Sequence, residues 1–292
     1  MLRYKEDWRT VMYMIITTGL LIVQWNLESF NPILWVACMF FAVSVSVMAH
    51  NHNHLRVWTN PVMNRFHDYW LTVFYGFPVF GWIPTHNKNH HKFTNREGDF
   101  TITYRISEGN NLFTLLTYPT ISSYYQQKPI SSYLKMLWSK RRSEFFWCMS
   151  QYAVLIAWIV GFLILDWKKA LLYIVIPQQF ALFSVLIFNY LQHVHADEED
   201  EWNHSRNIVG PLMNIMLFNN GYHTVHHNQP GLHWSKTPAA HAEVAHNIDP
   251  SLNEQSFWWL LIRTYILGSI IPKFRSHSMR LDRMNKQSAV EA

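Results

Sequence analysis

Apolar residues fall in four blocks along this chain, each long enough to span a bilayer, which needs about 20 mostly apolar residues. They cover about 11–27, 33–50, 145–165 and 170–191. The polar break NLESFNP separates the first two, and DWKK separates the last two, so each pair reads as a helical hairpin. Pro177 inside the last block predicts a kink, tolerated where neighbouring helices cover the freed backbone groups. Two further apolar stretches, Tyr69 to Ile83 and Phe257 to Ile271, are shorter, aromatic-rich and more amphipathic. They predict helices lying in the interface, with Trp and Tyr at headgroup depth. The tail over 276–292 is polar and predicts loose order.

Composition strengthens the membrane reading. Of 292 residues, 15% are charged and 49% hydrophobic, against roughly 25% charged in an ordinary soluble domain. Cys38 and Cys148, the only cysteines, both lie in apolar runs, which argues against a disulfide framework and a Cys-ligated zinc site. MLRYKEDWRT lacks a small-residue cleavage site and predicts a first membrane helix rather than a removed signal peptide. All Lys and Arg except Lys168 and Lys169 fall on one side of the four-span topology, and the positive-inside rule makes that side cytoplasmic. The net charge of +5 then fits an anionic leaflet and requires no nucleic acid. The expected organisation is a single membrane domain over 1–292. Segments 50–144 and 192–275 form its cytosolic cap.

Histidine patterning adds chemistry. The chain has 17 His, nine of them in four groups at helix ends or in loops of the predicted cytosolic side. These are His50 and His54; His86, His90 and His91; His193; and His223, His226 and His227. Imidazoles three and four apart share a helix face, so H-x-x-H-H can converge on one point. Nine exceed one closed tetrahedral zinc site and suit two transition-metal ions, each with four or five imidazoles and room for dioxygen. Iron is favoured, because imidazole suits it and it supports oxygen chemistry. Asn189, one turn before His193, either orients a metal-bound water or bonds a neighbouring helix. His195 is the alternative to His193. His52 points off the His50/His54 face, toward an outer shell or solvent. Asp99 is the first choice to accept a proton from a ligand imidazole, ahead of Glu97 and the acidic run Asp197–Glu201. The remaining histidines, His67, His204, His233, His241, His246 and His277, are read as structural or surface groups.

The pattern resembles the membrane fatty acid desaturase and hydroxylase superfamily, whose non-haem di-iron site is held by three His boxes. AHNHNH (49–54), THNKNHHKFTN (85–95) and NNGYHTVHH (219–227) resemble those boxes, and NYLQH (189–193) the further Asn and His of the last membrane helix. The resemblance covers about residues 33–235. It implies an all-α integral membrane protein: four spans in two hairpins and a cytosolic helical cap carrying the nine histidines and two irons. It also implies dioxygen as co-substrate and hydrogen abstraction from a methylene of a long apolar substrate. Phe74, Tyr75, Phe77 and Trp82 are candidates to line the substrate groove or to anchor at the interface. Gly221, Tyr222 and Pro230 favour an acyl-chain desaturase. Three residues between His86 and the His90-His91 pair, where many acyl desaturases have two, leave a membrane hydroxylase open. With no iron–sulfur Cys pattern and no Rossmann glycines, electrons are expected from a separate ferredoxin-like or cytochrome-like carrier on the basic face. A non-enzymatic metal protein is the other class, but its ligands would sit at the bilayer midplane.

Overall fold

The structure, a computed structural model, describes residues 1–291. Apart from one pair of two-residue parallel strands, β1 (Asn207–Ile208) and β2 (Asn253–Glu254), the regular elements are helices. They fall into two compact units. The first comprises Met1–Asn87 and Lys128–Val185, the second Lys88–Gln127 and Leu186–Ala292.

The first unit is built on two apolar hairpins. Helix α1 (Trp8–Asn26) stops at the polar break, and α2 (Pro32–His54) starts where Asn31 accepts from the amides of Ile33 and Leu34. Pro at the first helical position and Asn at the cap are the expected start signal. Asn60 and Pro61 repeat the device at α3 (Pro61–Tyr75). That helix ends at Gly76, whose φ of 84° is a left-handed stop and whose Cβ, were there one, would lie 2.5 Å from the Gln178 side chain. Helices α4 (Leu112–Lys140) and α5 (Arg142–Leu165) follow. Asp166 then caps α6 (Trp167–His193) through the amides of Lys168 and Lys169. The Lys169 ammonium turns back onto the carbonyls of Trp25 and Leu27, placing a cation at the carbonyl end of α1. Phe74, Trp158 and Phe162 pack around Leu21, Tyr173 and Ile174 in the core between these helices.

Among the described residues three helices, α2, α5 and α6, are long and apolar enough to cross a membrane. The block expected at 11–27 is helical as α1, but Arg9, Thr10, Thr17, Thr18 and Gln24 make it more polar than the others. A π-helical stretch over Leu171–Val175 lies just ahead of Pro177, where a kink was expected. Helix α4 was not anticipated: Pro119 and Pro129 interrupt its pattern, yet the helix runs through both.

In the second unit, the short helix α7 (Pro211–Met216) follows β1, and α8 (His223–Asn228) carries the last histidines. Helix α9 (Thr237–Val244) and β2 lead to α10 (Phe257–Ile270), and α11 (Met279–Glu291) closes the described chain. The tail expected to be loose over 276–292 is therefore mostly helical, Ala292 lying outside the described residues. Ion pairs hold it: Arg280 meets Glu108 and Glu198, and Arg283 meets Asp197 at 2.6 Å and Glu198 at 2.8 Å. These pairs use the front of the acidic run as arginine partners, not as acceptors for ligand imidazoles.

Candidate metal centre

Four imidazoles of the second unit converge. His90, His193, His223 and His227 are all buried, and their candidate ligand nitrogens lie within 4.8 Å of one another. Three local devices aim them. His193 ends α6, and the carbonyls of Leu191 in its last turn and of Val194 just beyond it accept from the buried Arg206 guanidinium at 2.8 and 3.1 Å. A cation there complements the helix dipole and fixes the end that carries the ligand. His223 and His227 are one turn apart on α8, whose start is clamped by Asn207, its amide oxygen accepting from Thr224 N and its Nδ2 donating to the Thr224 hydroxyl. Just before it, Gly221 lies against β1 so closely that a Cβ would sit 2.0 Å from the Ile208 carbonyl oxygen. Glycine is a packing requirement at this point of the third box.

The outer nitrogens fix the tautomers. His90 Nδ1 lies 2.7 Å from Asp99 Oδ2 and 2.9 Å from the Thr101 hydroxyl, whose own proton goes to Asp99 Oδ1 at 2.7 Å. Burial alone would raise the Asp99 carboxyl. The adjacent His90 and the Thr101 hydrogen bonds outweigh it and hold the group well below the usual carboxylate range. His90 Nδ1 therefore donates to Asp99, and in the neutral ring Nε2 is the nitrogen without a proton. His193 Nδ1 faces the His204 carbonyl at 3.2 Å, an oxygen that can only accept, so its Nε2 is bare too. These two Nε2 atoms are 3.1 Å apart, His193 Nε2 is 2.9 Å from that of His223, and His223 Nε2 is 3.1 Å from that of His227. In the His90–His193 pair, two unprotonated nitrogens held this close repel unless a cation lies between them. Burial also pushes His227 well below the ordinary imidazole pKa, so it is neutral and ligand-competent. The donor set fits a transition metal.

Of the other five selected histidines, three lie in the first unit and two in the second. In the first unit His50 Nε2 lies 2.9 Å from His86 Nε2, and the His54 ring lies 4.8 and 5.0 Å from those of His50 and His86. Trp82 lies against both His50 and His86, at 5.3 and 5.2 Å between ring centres. In the second unit His91 Nε2 lies 3.0 Å from His226 Nε2. Two expectations need correction. The H-x-x-H-H triad does not meet at one point: His223 and His227 converge and His226 turns to His91, because successive helical residues point about 100° apart. His86 is also absent from the tetrad that His90 joins, although the two are four residues apart on one π-helix, Ile83–His90. A π-helical stretch absorbs one extra residue, which accommodates the longer spacing of the second box.

The structure settles the neighbours differently from spacing. His195 faces away, Nε2 to the Glu108 carbonyl at 2.9 Å and Nδ1 to Ser276 Oγ at 2.8 Å. The Asn189 amide donates to the Tyr118 phenol at 2.6 Å, and that phenol donates to the Thr101 carbonyl, a helix-to-helix bond behind the site. His52 is fully buried rather than solvated, its Nδ1 accepting from Val57 N and its Nε2 lying 3.2 Å from Asp68. Glu97 is exposed. Tyr75 is buried rather than interfacial, and Phe74 and Phe77 pack within the first unit's core. Thr101, the His204 carbonyl and Arg206 were not anticipated; nothing in their local spacing marks them.

The family model for fatty acid desaturases matches residues 27–259. The chain belongs to the fatty acid desaturase family. That match takes in all nine histidines and most of the chain. The comparison with curated proteins gave no match, and that with solved structures gave none. Membership of the desaturase family makes the chain an oxidoreductase of the desaturase and hydroxylase kind, in a family typically dependent on metal, and its apolar helices suit a membrane protein.

Proposed function

We propose that this member of the desaturase family is an oxygen-dependent di-iron desaturase that introduces a double bond into a long acyl chain. The observation that carries the reading is the buried tetrad, in which the Nε2 atoms of His90 and His193 lie 3.1 Å apart while their Nδ1 atoms face Asp99 and the His204 carbonyl. Nine imidazoles serve two iron ions, and the tetrad holds one of them. Irons so held provide dioxygen activation and hydrogen abstraction from an unactivated methylene. The chain's part is to hold the ligands neutral, to orient them through Asp99 and the His204 carbonyl, and to bury them from water. The chain crosses the membrane four times, α1 included, with the histidines on the cytoplasmic side. A separate one-electron carrier docks on the basic cytosolic face.

A membrane hydroxylase is the second reading, favoured by the longer second box in its π-helix. The two differ in whether a second hydrogen leaves the neighbouring carbon, a matter of how the substrate carbon is positioned. Expression in a heterologous host followed by mass spectrometry of total lipids separates them. A two-hydrogen loss in one acyl species supports desaturation, and the gain of one oxygen supports hydroxylation. No change in any lipid, from a sample carrying its irons and supplied with electrons, overturns both.

A further inference from the structure

Helix α10 has two unlike faces. Leu260, Thr264 and Tyr265 are buried, while Trp258, Trp259, Ile262, Ile266 and Ile270 stand exposed. Trp258, Ile262, Ile266 and Ile270 follow one another at intervals of four, so they form a single apolar stripe. Exposed Lys273 and Arg275 follow directly. A stripe of this kind is uncovered in water and calls for an occupant.

Its inner face shows where that occupant lies. Phe257, Leu260, Leu261 and Tyr265 pack on Leu186, Ile187, Tyr190 and Leu191 of α6, and the Phe257 ring lies 5.0 Å from Phe188. Helix α6 is apolar enough to cross a membrane. From Trp167 to Phe188 it rises about 30 Å at about 1.5 Å per residue, the thickness of a hydrocarbon core. A span entering near Trp167 leaves the hydrocarbon at the level where α10 is attached. Helix α7 leaves the same place, since β1 and β2 pair in parallel and Gly210 lies against the Gln255 carbonyl. Its Leu212 and Ile215 are likewise exposed.

We propose that α10, with α7 beside it, lies in the plane of the phospholipid bilayer surface, its exposed stripe in the outer acyl region and Lys273 and Arg275 among the headgroup phosphates. Trp258 and Trp259 sit at the depth where amphipathic rings partition. The platform carries the third His box, since α7 runs through Phe218 into His223, and so holds His223 and His227 at a set depth from the lipid. The inference rests on α6 crossing the membrane, and the test separates the two ideas.

Cys38 and Cys148 are both buried, so single added cysteines can be labelled. Nitroxides are placed at I262C and I266C, at K286C on α11 as the aqueous reference, and at F180C on α6 as the lipid reference. The full chain is reconstituted one copy per phosphatidylcholine–phosphatidylglycerol nanodisc. Oxygen is expected to collide with the labels at 262 and 266 several-fold more often, relative to a water-soluble nickel chelate, than with the label at 286. Water-like accessibility at 262 and 266 with a lipid-like label at 180 overturns the proposal and leaves the span standing. Water-like accessibility at 180 as well overturns both. In liposomes, spin–spin broadening at 266 that vanishes on dilution with unlabelled chain would assign the stripe to a second copy and overturn the proposal too.

Discussion

Two buried histidine groups in this protein resemble each other in composition and differ in what their lone pairs face. In the tetrad, the outer nitrogens of His90 and His193 are held by Asp99, Thr101 and the His204 carbonyl, and the lone pairs point at one another. In the first unit, His52 and His67 are equally buried and their rings lie 4.3 Å apart, beside Asp68. There the lone pairs are already taken: His52 Nδ1 accepts from Val57 N at 3.3 Å and His67 Nδ1 from the Trp58 indole at 3.1 Å. A neutral imidazole has one lone pair in its ring plane, so neither is left to coordinate a metal. Burial and proximity of histidines do not make a metal site; the direction of the lone pairs does.

The largest expected effect breaks the tetrad. His223→Ala should remove one of two irons per chain, measured by elemental analysis of purified protein, and reduce product in the lipid assay to background. Full iron content with full activity would remove the tetrad from the active site. Asp99→Ala leaves His90 free to turn and its tautomer unset. Such outer partners are worth about 10- to 100-fold in metal affinity or activity, read by competition with a graded chelator. Arg206→Leu strips the carbonyls that end α6 of their buried donor and leaves Glu254, 3.9 Å away, short of one partner. A stability loss of about 3 kcal/mol is expected, seen as a lower unfolding midpoint in detergent, with iron lost only as the fold is lost. His52→Ala should show the opposite pattern to His223→Ala. Iron content stays unchanged while stability falls by about 2 kcal/mol, the cost of leaving a buried partner unmet. Iron loss there would end the distinction between the two groups. The smallest effect is Asn189→Leu, which removes the bond to Tyr118 at a cost of about 1 kcal/mol and should leave both irons in place. Loss of an iron would restore Asn189 to the ligand sphere.

The nine histidines, the apolar blocks and the polar breaks were legible in the sequence because each is a local pattern. Cap residues such as Asn31 and Asn60 act within one helical turn, and apolar runs are read by length alone. Spacing failed where the helix type changed. The segment that carries His86 and His90 is π-helical, and nothing in IPTHNKNH marks that. It failed again at His226, because a short helix points neighbouring residues in different directions and only the surrounding fold says which neighbour each one meets.

By itself, then, the sequence determined which residues could serve as ligands and which segments prefer lipid, since imidazole chemistry and hydrophobicity belong to residues and their near neighbours. Tertiary structure decided which imidazoles face one another, that His195 turns to Glu108 and Ser276, and that His90 is the imidazole Asp99 meets. It also decided that the polar tail is helical, since Arg280 and Arg283 find Asp197, Glu198 and Glu108 only after folding. These are contacts between residues far apart in the chain. Their geometry comes from packing, which no local spacing encodes.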